Sequence, residues 1–273
     1  MNDIGIIIVT YNPKLDNFQG NFSKIIKLGC PTLIVDNGSE IKIKDKITSL
    51  SNSNPNSSCI LLKENKGIGF AQNIGIDFFK NKPVNFLLFL DQDSYISLNN
   101  LKKLKTTLKS LKKVNTKAVM LGPAQDYDHL MSDTEETKLL ISSGSLVFKT
   151  AFDKIGDFKA EFFIDYIDYE WVWRAQKKGY KVYKTKKVTM QHQTNGVLRV
   201  HGHTIDPIFR LYYIYRNSVY LILYERISKK QKLNLFIRNL GKLFFQINLP
   251  EKRNRYKACF HGIYDGVRKK LNV

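Results

Sequence analysis

Residues 86–94 run Phe-Leu-Leu-Phe-Leu-Asp-Gln-Asp-Ser, five apolar side chains ending in two carboxylates one residue apart. A short unbroken apolar run bounded by polar residues reads as a strand covered on both faces, the kind that parallel sheets use. Acids at its C-terminal tip stand where open α/β sheets hold their ligands. Alternate residues of an extended segment share a side, so Asp91 and Asp93 would face one cation there. Their hard oxygens suit Mg2+ or Mn2+ holding a diphosphate. The same letters also read as a polar turn after a strand, because Asp and Ser favour turns.

The run is not isolated. Residues 4–9, 32–35 and 59–62 are short apolar runs, and each ends in polar residues: Thr10-Tyr11-Asn12-Pro13, Asp36-Asn37-Gly38-Ser39, and Glu64 through Asn73 with Gly67 and Gly69. Helical stretches are predicted between them over 16–28 and 40–50 and from the Gly-rich turn to about 81, with a polar loop over 51–58. A basic helix over 102–114 has Leu101, Leu104, Leu108 and Leu111 on one face. This alternation predicts an α/β fold with a mostly parallel, doubly wound, Rossmann-like sheet and flanking helices. Further strands are predicted at 118–121, 141–148 and 180–188, an acidic loop over 126–137, and a helix after Phe162–Trp171 ending near Gly179. From 208 onward the chain reads as helical. Leu233, Phe236, Ile237, Leu240, Leu243, Phe244 and Ile247 lie on one side of a helix over 231–249, with Arg238 and Lys242 opposite.

Composition divides the chain. Of the formal net charge of +20, residues 207–273 carry +12, from fifteen Lys/Arg against Glu225, Glu251 and Asp265. This marks 207–273 as a helical basic C-terminal region behind a domain of 1–206, itself split near 115 and 116. A one-sided basic segment suits an anionic partner. Arg210, Arg216 and Asn217 read either as phosphate contacts or as a solvated helix face. The three cysteines are isolated, which suits a reducing cytosol, and no run of eighteen apolar residues spans a bilayer. The first residues do not read as a signal peptide. The expected place of the chain is the cytoplasm.

Several side chains carry candidate chemistry. Asp36 suits the N3–H of a pyrimidine, or a helix N-cap. The Asn65-Lys66-Gly67-Ile68-Gly69 turn lets backbone N–H groups approach a phosphate or sugar. Asp165, Asp168 and Glu170 form an acidic cluster among aromatics. Asp168 and Glu170 point apart on a helix, so that one faces a cleft while the other caps. A carboxylate in a partly apolar pocket makes a general base. His192 reads as a metal or phosphate ligand, or as a structural histidine.

Six motifs then occur in order: Val9-Thr10-Tyr11-Asn12, Val35-Asp36-Asn37-Gly38-Ser39, Asn65-x-Gly-x-Gly-x-Ala-x-Asn73-x-Gly75, Phe89-Leu90-Asp91-Gln92-Asp93-Ser94, Ser143-Gly144-Ser145, and Phe163-Ile164-Asp165-Tyr166-Ile167-Asp168-Tyr169-Glu170-Trp171-x-x-Arg174. Together they resemble glycosyltransferase family 2, of the GT-A fold, and within it the bacterial rhamnosyltransferase-like subgroup, over residues 4–220.

The resemblance implies an inverting, metal-dependent transfer from a nucleotide-diphospho-sugar. By position, Thr10, Tyr11, Asn12 and Asp36 line the nucleotide, with Asn37 and Gln92 in the same donor-binding set. Asn65, Gly67 and Asn73 lie along the sugar cleft. Asp91 and Asp93 match the DxD pair that holds Mn2+ or Mg2+, with His192 as a further ligand, and Asp168 matches the base. The first acid of the family's Glu-Asp pair is Ile167 here, which leaves Asp165 and Glu170 as alternates. The expected reaction moves rhamnose from dTDP-rhamnose to a glycan acceptor, lipid-linked, in bacterial surface polysaccharide synthesis. The C-terminal region would then touch an anionic membrane surface at its inner face. Galactofuranose, glucose and N-acetylglucosamine are the alternative sugars. A basic membrane- or nucleic-acid-binding protein is the alternative outside enzymes, and the acids at 91, 93 and 168 speak against a nucleic-acid partner.

Overall fold

The computed structural model describes residues 1–125, 128–192, 199–200 and 203–271, with only the backbone of 192, 199–200 and 203–204. The elements run β1 (Ile4–Thr10), α1 (Leu15–Ile26), β2 (Thr32–Asp36), α2 (Ile41–Asn52), β3 (Ser57–Leu61), α3 (Ile68–Lys80), β4 (Phe86–Asp91), β5 (Ser94–Tyr95), α4 (Leu98–Val114), β6 (Ala118–Pro123), β7 (Thr134–Glu136), β8 (Leu146–Phe148), α5 (Thr150–Ile155), α6 (Ile167–Lys177) and β9 (Lys181–Thr185). Short pairs β10 (Gln191–His192), β11 (Arg199–Val200) and β12 (His203–Thr204) lead to α7 (Ile208–Tyr224), α8 (Lys229–Phe245) and α9 (Lys252–Val267).

Eight strands form one sheet in the order β3-β2-β1-β4-β8-β6-β9-β7. The half containing β1 to β4 is parallel, whereas β8 runs against β4 and β6, and β7 against β9. Strand alternation divides the apolar side chains between two faces. Ile7, Val9, Leu87 and Phe89 pack with residues of α3, α5, α6 and α7. Ile4, Ile6, Ile8, Phe86, Leu88 and Leu90 pack with residues of α1, α2 and α4. Helices on both faces bury β1 completely, which is why its sequence is apolar from Ile4 to Val9 rather than alternating.

Some boundaries differ from the sequence reading. The expected strand over 141–148 is extended only from Leu146. Gly144 has a φ of 77°, and the Ser145 hydroxyl turns back to the Ile141 carbonyl at 2.6 Å. The loop expected over 51–58 yields to α2 at one end and β3 at the other, and β7 lies within the expected acidic loop. Asp36 is not the N-cap of α2; that position is Glu40. Arg216 and Asn217 are neither phosphate contacts nor a solvated face: both are fully buried. The α7 side chains Leu211, Ile214 and Tyr215 belong to the same core as Trp171 of α6. No helix among the described residues is long and apolar enough to cross a membrane, and Cys30, Cys59 and Cys259 are free thiols.

Candidate active site

The tips of β1, β2 and β4 lie side by side because the strands are parallel and in register, Thr10 beside Asp36 and Val9 beside Asp91. Their polar residues bond mostly to one another. The fully buried Asp36 carboxylate accepts from the Thr10 hydroxyl at 2.9 Å, the Ser39 backbone N–H at 2.9 Å and the Ser39 hydroxyl at 2.5 Å. It therefore sits beneath the strand tips rather than on an open surface. Asn12, at a φ of 43°, accepts from the Glu40 N–H through its side chain, while its own N–H donates to Ser39. Asn37 donates to the Asn65 side-chain amide oxygen and accepts from the Lys66 N–H. Gln92 accepts from the Tyr11 N–H at 2.8 Å, which ties β4 to β1 and leaves the Tyr11 ring half in solvent.

Asp91 ends β4, and residues 92–93 form a turn before β5. The strand alternation that was to place both acids on one side thus stops at Asp91. Asp91 closes the strand, whereas Asp93 lies in the turn itself. His192 pairs with Ser94 through its backbone in β10, and its side chain lies outside the described residues.

The segment before α6 holds three non-glycine residues at positive φ within four positions. Phe163 (φ 64°, ψ −63°) is the centre of a γ-turn in which the Ile164 N–H donates to the Phe162 carbonyl at 2.7 Å. Asp165 and Tyr166 follow at φ 67° and 65°. Non-glycine residues in that region cost on the order of 1–3 kcal/mol each and persist only where the surroundings over-determine them. Here the surroundings do so. The buried Asn217 amide donates to the carbonyls of Phe162, Ile164 and Asp165 at 2.9–3.0 Å. The Arg216 guanidinium donates to those of Glu161, Phe162 and Leu271. Tyr213 stacks on Phe163 with ring centroids 4.8 Å apart. On the other side Gly67, at φ 87°, lies so close that a Cβ would sit 2.5 Å from the Phe163 Cα, and the Ile68 N–H donates to the Phe163 carbonyl.

This segment aims Asp168 into a cleft of about 400 Å³ whose lining includes Asp91, Ser142, Ser143, Asp165 and Tyr169. Burial pushes the Asp168 carboxyl up to about 6, opposed by hydrogen bonds from Ser142 and reinforced by the negative charges of Asp91 and Asp165. Ser142 is itself fixed by the Gln72 amide at 2.8 Å, and Ser143 accepts from the Asp91 N–H. Asp165 takes both arms of Arg210, at 2.5 and 3.1 Å. Glu170 does not line the cleft: it is buried in a bidentate pair with Arg174, at 2.8 and 2.9 Å.

The structure thus brings Asp91, Asp165 and Asp168 to one cleft. Asn65 lines a neighbouring hollow with Lys66, Phe70 and Phe163. Asn73 staples α3 to the Phe158 backbone through both its amide atoms. Sequence reasoning overlooked Ser142 and the α8 residues Arg238 and Lys242, which close the cleft beside Asp206 and Arg210. The wheel position of Arg238 and Lys242 opposite an apolar stripe was the available signal, but nothing local says which side of that helix is inside.

The described residues contain no cluster of three His, Cys, Asp or Glu that would hold a metal by themselves. A divalent ion at Asp91 and Asp93 would take its other ligands from phosphate oxygens and water, the usual pattern for Mg2+ and its relatives. The hard carboxylate donors fit such an ion.

The chain is 30% identical over 247 residues to the dTDP-rhamnosyl transferase RfbF of Shigella flexneri, which covers 81% of this chain and 80% of that relative. Among solved structures, residues 1–349 of S. aureus TarS in complex with UDP-GlcNAc share its fold with a TM-score of 0.60 at 15% identity, covering 99% of this chain and 83% of that one. GalNAc-T7, solved with UDP, GalNAc and Mn2+, gives a TM-score of 0.57 at 12% identity over 85% of this chain, which spans only 53% of GalNAc-T7. The profile of glycosyl transferase family 2 matches residues 5–201. With that match over most of its length, on a mostly parallel α/β sheet of the GT-A kind, the chain belongs to glycosyl transferase family 2.

Proposed function

We propose that this enzyme transfers rhamnose from dTDP-rhamnose to a hydroxyl of a lipid-linked glycan, with inversion, and that Asp168 is its base. The observation that carries the reading is the single cleft shared by Asp168 and Asp91, with Ser142 oriented on the first and Ser143 on the second. The similarity to a dTDP-rhamnosyl transferase supports the sugar.

Asp91 and Asp93 would hold Mn2+ or Mg2+, which, when bound, supplies charge compensation for the departing diphosphate. The chain's own residues do the rest. Asp168 accepts the proton of the acceptor hydroxyl as that oxygen bonds to the anomeric carbon, and the bond from that carbon to the diphosphate oxygen breaks with its electron pair leaving on dTDP. One carboxylate suffices for a single displacement. Ser142 holds that carboxylate, and the buried surroundings keep its basicity high. Arg210 holds Asp165 in a two-armed ion pair, which leaves the base role to Asp168.

A hollow of about 410 Å³ adjoins the cleft, sharing Tyr169 and Arg238 with it and adding Trp173, Gln231 and Asn234. Aromatic faces beside amide groups suit the acceptor glycan, whose attacking sugar would then reach Asp168 past Tyr169.

The test is hydrolysis and transfer with a panel of dTDP-rhamnose, UDP-galactofuranose, UDP-glucose and UDP-N-acetylglucosamine, with Mn2+ or EDTA. Turnover of dTDP-rhamnose that EDTA abolishes and Asp93→Ala weakens is expected. Preference for a UDP-sugar would replace the donor, and EDTA-resistant turnover would remove the metal.

A further inference from the structure

The α8 helix faces the wrong way for a helix that only packs on its own protein. Its cationic side, Arg238 and Lys242, lines the catalytic cleft, and Lys242 pairs with Asp206. Its inward contact with α7 is small, with Leu235 and Asn239 buried and the Asn239 amide bonded to Ser218. Its apolar side is outside. Leu233 is 57% exposed, Phe236 53%, Ile237 57%, Leu240 40% and Phe244 67%. These positions repeat at helical spacing and form one continuous stripe. Single exposed apolar residues are ordinary, whereas a continuous stripe marks a contact surface.

Charge selects the occupant. From Lys229 to Phe245 the helix has no acidic residue, and Lys229 and Lys230 are exposed at its start. A second copy of the chain would set this helix against one of the same sign. A lipid surface with anionic headgroups takes both features together, apolar side chains below and lysines at the phosphates.

We propose that α8 lies in the plane of an anionic lipid surface, with Leu233, Phe236, Ile237, Leu240 and Phe244 turned into the acyl boundary and Lys229 and Lys230 among the headgroup phosphates. An α-helix with its side chains is about 10–12 Å across, so the cleft on the other side of α8 opens at that distance from the lipid. An acceptor anchored in the same surface through a phosphate then meets Arg238, Lys242 and Arg210 on its way to Asp168. This last step rests on the acceptor reading given above, whereas the lipid contact itself does not.

The experiment is co-sedimentation of the full chain with vesicles of phosphatidylcholine alone or mixed with phosphatidylglycerol, at low and high salt. The expected result is salt-sensitive binding to the anionic vesicles, lowered about tenfold or more in Phe236→Ser/Phe244→Ser. Both side chains are more than half exposed, so the variant should keep its melting temperature and its vesicle-free hydrolysis of dTDP-rhamnose. Vesicle binding unchanged in the variant, or no binding by the parent protein, overturns the proposal. So does a dimer in sedimentation equilibrium that the same substitutions dissociate, because a second copy then covers the stripe. Failure of hydrolysis with vesicle binding intact strikes the function proposed above and leaves this surface standing.

Discussion

The strand tips and the turn before α6 both present acids, yet they are held in opposite ways. At the tips of β1, β2 and β4 each polar residue is fixed by neighbours on the adjoining strands and their loops: Asp36 by Thr10 and Ser39, Asn37 by Lys66 and Asn65, Tyr11 by Gln92. The register of a parallel sheet brings those partners together, and no backbone strain is needed beyond Asn12. The Asp168 turn has no such lattice. Phe163, Asp165 and Tyr166 occupy disfavoured backbone regions and are held by Arg216 and Asn217, which lie about fifty residues away in sequence, and by the close approach of Gly67. The comparison teaches that the strand tips, proposed for the donor, are built by sheet geometry, whereas the turn that carries the proposed base is built by docking α7 onto a strained loop. The two should therefore fail differently.

The largest expected effect is on Asp168 itself. Asp168→Asn should lower turnover about a hundred- to ten-thousand-fold, the range of general-base contributions, with donor affinity by calorimetry nearly unchanged. The parent's turnover should fall as pH drops through about 6, where the carboxyl takes up its proton. The sign for stability is opposite to the usual carboxylate case. The folded value lies above the unfolded value of 3.8, so stability falls as pH rises from about 4 to 6 and the cost persists above it. Asp168→Asn should thus melt higher at pH 7.5, by about 2–4 °C, and a lower melting point would show that Ser142 stabilises the charged carboxylate more than burial opposes it.

Next in size is the clamp. Arg216→Ala strands the carbonyls of Glu161 and Leu271 and the Asn217 oxygen, while the Phe162 carbonyl keeps its bonds from Asn217 and Ile164. It should destabilise by about 3–5 kcal/mol, at 1–3 kcal/mol for each buried group left unpaired with partial relief by water. Asn217→Ala is the milder variant, expected to fold and to lose kcat with little change in donor affinity. Equal loss of both would mean that the turn and the strand tips are coupled after all.

The smallest effects separate the two regions most cleanly. Thr10→Val removes one of three donors to Asp36 and should cost about 1 kcal/mol in urea denaturation, with kcat retained. Gly67→Ala places a Cβ against the Phe163 backbone at positive φ. It should cost a few kcal/mol and reduce kcat, although Gly67 lies in the turn proposed for the donor. A kcat effect in Thr10→Val and none in Gly67→Ala would reverse the assignment.

Much of this was legible from local pattern. The apolar runs at 4–9, 32–35 and 86–90 became β1, β2 and β4, because a strand covered on both faces has to be apolar throughout. The parallel sense of the first half followed from strand–helix alternation, whereas the order of its strands came from the structure. Less legible was 141–148, where the small residues made a turn that delivers Ser142 and Ser143 to the acids. Arg216 and Asn217 were misread because a buried Arg-Asn pair and an exposed one have the same letters. What differs is a set of carbonyls that a loop distant in sequence leaves without helix or sheet partners.

The chain alone thus determined the family, the parallel core and the acids at the ends of strands, since apolar periodicity and motif order are local and survive without knowing what packs against them. Only the tertiary structure decided which of three neighbouring acids reach the cleft, Asp165 and Asp168 but not Glu170. Asp168 turns inward, Asp165 is neutralised by Arg210 and Glu170 by Arg174, because helix position alone orders side chains around an axis and packing decides which side of that axis is inside. The same reason left α8 undecided until the fold turned its cations toward the cleft and its apolar stripe toward the surroundings.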